Sequence, residues 1–167
     1  LKEYLHAYVL NFIYTNPRYS NVLIFTGGTC LRHCFGLNRL SEDLDFDVLQ
    51  KDAIDIEHYK EKLENYFVKE YLYKTVQIAI KQQGRQLLLK FPVLHKLTLA
   101  GAHESNLLYI KIDFAVNESQ DYETITTLKN FYNFNYIVKH YDLTTLMASK
   151  IVAILTRQVF WGTENKE

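Results

Sequence analysis

The sequence predicts an α/β (α+β) fold, a mixed and twisted sheet flanked by helices. Three observations carry this. Short β-branched and aromatic runs, Val22-Leu23-Ile24-Phe25 and residues 107–116, read as buried strands. Around them lie stretches with apolar residues at helical spacing, such as Leu1, Leu5, Tyr8, Val9 and Phe12. The chain has 167 residues, 48% of them hydrophobic and 14% aromatic, which suits one domain with a real core.

Residues 1–14 form the first helix, closed by Asn16-Pro17, and 16–21 loop into the strand at 22–25. That strand ends at Gly27-Gly28, residues able to take turn angles barred to others. Residues 29–35 then read as a helix. Opening straight after a glycine turn, it points unpaired N–H groups and a positive dipole end at the turn, a seat for phosphate. Asp43-Leu44-Asp45-Phe46-Asp47-Val48 alternates carboxylates with apolar residues and reads as a strand. After a turn, Asp55 caps a helix with Ile56, Tyr59, Leu63, Tyr66 and Phe67 on one side and a solvated face at Glu57, Lys60, Glu61 and Glu64.

Residues 76–81 and 87–91 make a hairpin about Gly84, and Pro92 ends its second strand or places it at an edge. Residues 93–105 read as a loop in which His95 and His103 are ordinary polar positions. The strand at 107–116 follows. The polar and aromatic stretch 117–135 reads as a loop with short ordered pieces, its aromatics serving the core or stacking on bases, and 136–138 as a last short strand. Asp142 caps a helix over 143–157 with Leu143, Met147, Ile151, Ile154 and Leu155 inward.

The chemistry concentrates between residues 22 and 48. Strand alternation places Asp43, Asp45 and Asp47 on one side and Leu44, Phe46 and Val48 on the other. Three carboxylates on one face repel one another. Either they meet solvent on a half-exposed edge strand, or they meet a divalent cation, whose hard character suits oxygen ligands. Asp113 is a carboxylate in an apolar run, satisfied by solvent at a strand end or by a function. Lys150 lies on or beside an apolar stripe, from which it snorkels out or points into an acidic cleft. Cys30 and Cys34 sit four apart with His33 between them. Zinc needs a fourth ligand and usually a tighter cysteine spacing, so they read as small buried hydrophobes.

The pattern Gly27-Gly28-Thr29 followed by Arg39-Leu40-Ser41-Glu42-Asp43-Leu44-Asp45-Phe46-Asp47 resembles the polymerase-β-like nucleotidyltransferase superfamily, and within it the abortive-infection AbiE-type toxins. The resemblance is specific over residues 22–48 and looser elsewhere. It implies a nucleotidyltransferase fold and transfer of an NMP from an NTP to an acceptor, RNA such as tRNA, by two-metal Mg²⁺ chemistry, as toxin to an antitoxin. It further implies that Asp43, Asp45 and Asp113 are catalytic and hold the two ions, while Gly27, Gly28, Thr29, Arg39, Ser41 and Lys150 bind nucleotide. Asp47 is left bracing or spare. The family's Arg-Asp-x-x-Asp segment and helical C-terminal domain find no counterpart after Arg157, so residues 1–167 read as a nucleotidyltransferase domain without that second domain. The start at Leu1 and the polar tail from Trp161 to Glu167 read as those of a fragment.

The formal net charge is zero, so RNA binding rests on a local patch rather than a global field. No apolar run approaches a membrane span and the N-terminus lacks a leader pattern, so the reading is cytoplasmic. Three alternatives stand beside the RNA-directed enzyme: nucleotidylation of a small molecule or protein hydroxyl, a catalytically silent nucleotide-binding module, and a structural acidic-edge domain.

Overall fold

The computed structural model describes residues 1–50, 52–117 and 122–161, with side chains up to 156. Part of the expected 117–135 loop and the tail after residue 161 lie outside it. In chain order the elements are α1 (Lys2–Tyr14), α2 (Pro17–Ser20), β1 (Leu23–Thr26), α3 (Gly27–Phe35), β2 (Asp43–Val48), α4 (Ile56–Asn65), β3 (Gln77–Lys81), β4 (Gln86–Pro92), β5 (Leu107–Val116), β6 (Thr124–Phe131), β7 (Phe134–Tyr141) and α5 (Leu143–Trp161). The strands form a seven-stranded sheet in the order β3-β4-β5-β2-β1-β7-β6. It is mixed: β2 runs parallel to β5 and β1 parallel to β7, while β1 and β2 are antiparallel.

The acidic strand is therefore no edge strand. β2 lies inside the sheet between β1 and β5, with Leu44 and Phe46 buried and the three aspartates half-buried. Its apolar face joins an aromatic core in which Phe25 stacks on Phe46 at 5.2 Å and Tyr59 meets the edge of Phe114 at 5.5 Å. Rings such as Phe25, Phe46 and Phe67, almost wholly removed from water, each contribute about 1.5–3 kcal/mol of transfer free energy. α1 carries apolar residues around most of its circumference and is buried accordingly from Leu5 to Leu10, with its last turn tied to the sheet by Tyr14, whose hydroxyl donates to the Lys139 carbonyl at 2.9 Å.

Both expected aspartate caps form. Asp55 Oδ1 accepts from the His58 N–H at 3.0 Å and Asp142 Oδ1 from the Thr145 N–H at 2.9 Å. Within the loop expected at 16–21, Asn16 caps the short α2, accepting from the Arg18 N–H at 3.0 Å.

Three expectations are corrected. The stretch taken as loop contains β6, paired residue for residue with β7 from Thr124↔Tyr141 to Phe131↔Phe134, and β7 is longer than residues 136–138. Thr124-Ile125-Thr126-Thr127-Leu128 is rich in strand formers, but most of it is exposed, so it lacks the apolar alternation that marks a half-buried strand. The glycines are not a turn ahead of α3 but its first residues, Gly27 holding φ +76°. On α5, Leu143, Met147, Ile151, Ile154 and Leu155 are 47–58% exposed, and Leu146 is the buried residue instead. An apolar stripe reports that a face favours cover; among the described residues nothing covers this one.

Candidate active site

Register brings the acidic residues together. Asp45 of β2 is the direct neighbour of Asp113 on β5 and of Thr26 on β1, and Asp43 is the neighbour of Lys111. Since side chains alternate, Asp43, Asp45, Asp47, Lys111 and Asp113 share one face of the sheet. A cleft of about 430 Å³ opens there, lined by Thr26, Asp45, Asp47, Arg85 and Asp113.

Asp45 is the centre of this face. Its pKa is raised from 3.8 to about 6, chiefly by burial and further by the negative charges of Asp113, Asp43 and Asp47, against the pull of Lys150, which favours the ionised form. Lys150 thus acts on the acidic cleft, one helical turn after the buried Leu146. Gly27 runs so close to this carboxylate that a β-carbon there would lie 1.9 Å from Asp45 Oδ2, and its φ of +76° is itself a glycine conformation. The absence of a side chain at residue 27 is what lets an acidic strand abut a helix N-terminus.

The other aspartates are held by the protein. Asp113 Oδ1 accepts from Gln86 Nε2 at 2.7 Å. Asp47 Oδ2 accepts from the Tyr141 hydroxyl and from Asn117 Nδ2, both at 2.9 Å, which fits a bracing position. Asp43 lies 3.7 Å from Lys111 Nζ, with both side chains nearly half exposed, so this pair adds little to stability. Behind them the Thr29 hydroxyl donates to the Asp43 carbonyl and lies 2.7 Å from Ser41 Oγ. Thr29 is buried, and its hydroxyl is committed to holding the 41–43 backbone against α3.

Gly28 has no such clash, although a β-carbon there would sit 3.0 Å from Ser41 Oγ. Arg39 is exposed on the segment after α3, and its guanidinium forms no hydrogen bond or ion pair among the described residues. That segment is tied instead by Arg32, which pairs with Glu3 and donates to the Arg39 carbonyl at 3.2 Å.

The sequence reading missed Arg85, Gln86, Lys111, Asn117 and Tyr141. Lys111 had a signal, since it alternates with Asp113 on one strand; the others reach the site through strand pairing that no local pattern announces. A second cavity of about 350 Å³, lined by His6, Arg32, His33 and Phe131 among others, lies between α1 and α3. The β2 and β5 aspartates do not line it, and it has no part in the acidic face.

The donors on β2 and β5 are hard oxygens whose mutual repulsion a divalent cation relieves, and in that chemical sense they fit one. The oxygens of Asp43, Asp45 and Asp113 do not all lie within 4.8 Å of one another. Among the described residues Cys30, Cys34 and His140 alone form such a trio.

Comparison with known proteins agrees with the fold. Residues 11–163 match the family described as nucleotidyl transferase AbiEii toxin, type IV TA system. Among solved structures, MenT4, a nucleotidyltransferase toxin from Mycobacterium tuberculosis, superposes with a TM-score of 0.57 at 16% identity, covering 90% of this chain and 51% of its own. A candidate nucleotidyltransferase from H. pylori gives 0.51 at 18% identity, covering 89% and 56%. Both share the fold, and the chain spans about half their length. A search of curated proteins gave no match.

Proposed function

The chain belongs to the AbiEii nucleotidyltransferase toxin family, and from that premise we propose that it moves a nucleoside monophosphate from an NTP to an RNA hydroxyl, tRNA included, as the toxin partnered by an antitoxin. The observation that carries the reading is the contact of Gly27 with Asp45: a side-chain-free helix start against a carboxylate row, as phosphate and cation together require. Asp43, Asp45 and Asp113 would hold two Mg²⁺ ions, which when bound stabilise the charge growing on the attacking and leaving oxygens. The site of action is the cytoplasm, where NTPs are abundant. Among the described residues no helix is long and apolar enough to cross a membrane.

The chain's own groups have these roles. The backbone N–H groups at Gly28 and Thr29, with the dipole of α3 behind them, bind triphosphate oxygens. Lys150 and the exposed Arg39 offset the triphosphate charge. Ser41 and the Thr29 hydroxyl fix the backbone that carries Asp43. The acceptor oxygen bonds to the α-phosphorus, the α–β bridging bond breaks, and pyrophosphate leaves. Asp113 takes the hydroxyl proton on Oδ2, the oxygen that Gln86 leaves open.

The RNA acceptor is supported by a local basic surface on a chain of zero formal net charge. Lys111, with Lys90 and Lys81 on the adjoining strands and the 39% exposed Tyr109, lies on the acidic face beyond the aspartates. Calorimetric titration with each NTP, with and without Mg²⁺, tests the site. Binding that requires Mg²⁺ and is lost in Asp43→Asn is expected; full Mg²⁺-dependent binding and transfer by that variant overturns the reading.

A further inference from the structure

Cys30 and Cys34 lie one turn apart on α3, and β7 brings a third group to them. The two sulfurs and a ring nitrogen of His140 all lie within 4.8 Å of one another. Cys30 and His140 are fully buried and Cys34 is half-buried, so the cluster is enclosed with one side open to solvent. We propose that Cys30, Cys34 and His140 form a zinc site that staples the helix of the candidate active site to the sheet.

The histidine carries the argument furthest. Its Nδ1 lies 2.7 Å from the Tyr141 carbonyl, which can only accept, so Nδ1 bears the proton and donates. Nε2 then has the lone pair on the side of Thr127 Oγ1, 2.8 Å away. A ring N–H fixed on a backbone carbonyl with the other nitrogen presented is the arrangement that metal-bound histidines adopt. For Nε2 to take a metal, the Thr127 side chain must rotate about χ1 to move Oγ1 out of the lone-pair direction.

Two thiolates and an imidazole form a soft donor set suited to Zn²⁺ rather than to the hard cations of the acidic face. With bonds of about 2.3 Å to sulfur, a tetrahedral site needs sulfurs roughly 3.8 Å apart, so the side chains close in by about 1 Å at most. Three protein ligands leave the fourth position to a water reaching in past Cys34. Binding deprotonates both thiols, and the two protons leave to solvent. The two sulfurs are hydrogen-bonded to each other, which lowers Cys34 and, together with burial, raises Cys30. Lys129, which donates to the Cys34 carbonyl at 3.4 Å, adds a charge that favours the thiolates; the assembled zinc dithiolate is itself neutral.

The consequence concerns α3. His140 is the β7 partner of Phe25 on β1, the strand that runs directly into Gly27. A metal bridging His140 to two turns of α3 would fix the helix N-terminus against the acidic strand. Zinc would then stabilise the site without entering it.

Cobalt(II) titration of reduced, chelator-stripped protein tests this. One equivalent is expected to give tetrahedral d–d bands with a sulfur-to-cobalt charge-transfer band, bleached by zinc. Cys34→Ser, at the half-buried position, is expected to keep its circular dichroism while losing the charge-transfer band, and zinc is expected to raise the melting midpoint of the parent protein but not of the variant. His140→Gln should lose affinity at least tenfold. A folded parent protein with no charge-transfer band, or a band undiminished in Cys34→Ser, overturns the proposal.

Discussion

Replacing Asp45 by asparagine should stabilise the protein, and only above a defined pH. In the metal-free fold the carboxyl titrates near 6 against an ordinary 3.8, chiefly because it is buried and secondarily because three aspartates surround it. The fold therefore favours the neutral form. Its contribution to stability is fully present below about pH 4 and is lost as pH rises through 6, because the unfolded chain ionises first and the folded one later, at a cost. Roughly two pKa units at 1.36 kcal/mol each set a ceiling of about 3 kcal/mol. Asparagine cannot ionise and avoids that loss. Urea unfolding of parent and Asp45→Asn in chelator, from pH 4 to 8, should give a stability difference that grows from pH 4 to 6 in favour of the variant and then levels. Adding Mg²⁺ at pH 8 should reverse the order by stabilising the parent alone. A difference that stays flat across this range, or a variant less stable at pH 8 without metal, would refute the account of Asp45 as the strained centre of the face.

Two further substitutions separate packing from conformation. Gly27→Ala puts a β-carbon onto Asp45 Oδ2 and forces alanine to a left-handed φ; it should cost at least about 1–2 kcal/mol, a melting decrease of roughly 2–8 °C, and abolish NTP binding. Gly36→Ala, at φ +72° with open space around it, should show a similar melting loss with NTP binding retained; equal binding by both variants counts against the site. Tyr141→Phe removes one of two donors to Asp47 and should cost about 1.5–3 kcal/mol in urea unfolding while turnover changes little, and a loss of turnover matching that of Asp43→Asn would place Asp47 among the reacting groups instead.

What could be read from the chain alone follows the range of the forces involved. β2 was legible because a strand's period of two is local: Asp43, Asp45 and Asp47 sort from Leu44, Phe46 and Val48 without any knowledge of neighbours. That β2 lies inside the sheet was not, since its flanking strands are β1 and the distant β5. β6 escaped notice for a related reason. Its residues are held by pairing with β7 and by contacts such as Thr127 to His140 and Lys129 to the Cys34 carbonyl, rather than by an apolar stripe of their own.

The same distinction applies to α5 and the cysteine cluster. Helical spacing correctly groups Met147, Ile151, Ile154 and Leu155 on one face, yet hydrophobicity has no direction, and the inward face was settled by which side chains could meet the sheet. Leu146 did so by packing and Lys150 by charge, its amine near an aspartate whose ionisation it favours. Residue type therefore marked Lys150 out, while the apolar count pointed the helix the wrong way. Cys30 and Cys34 are buried and half-buried as their spacing suggests, but their neighbours are not legible locally. Within their own helix only His33 stands nearby, and that ring is engaged with Tyr136 and Phe131. The third group arrives because β7 runs parallel to β1 and places His140 beside Phe25, a pairing fixed by topology. Spacing within an element shows which residues share a face; which elements that face meets depends on the pairing of strands far apart in the chain.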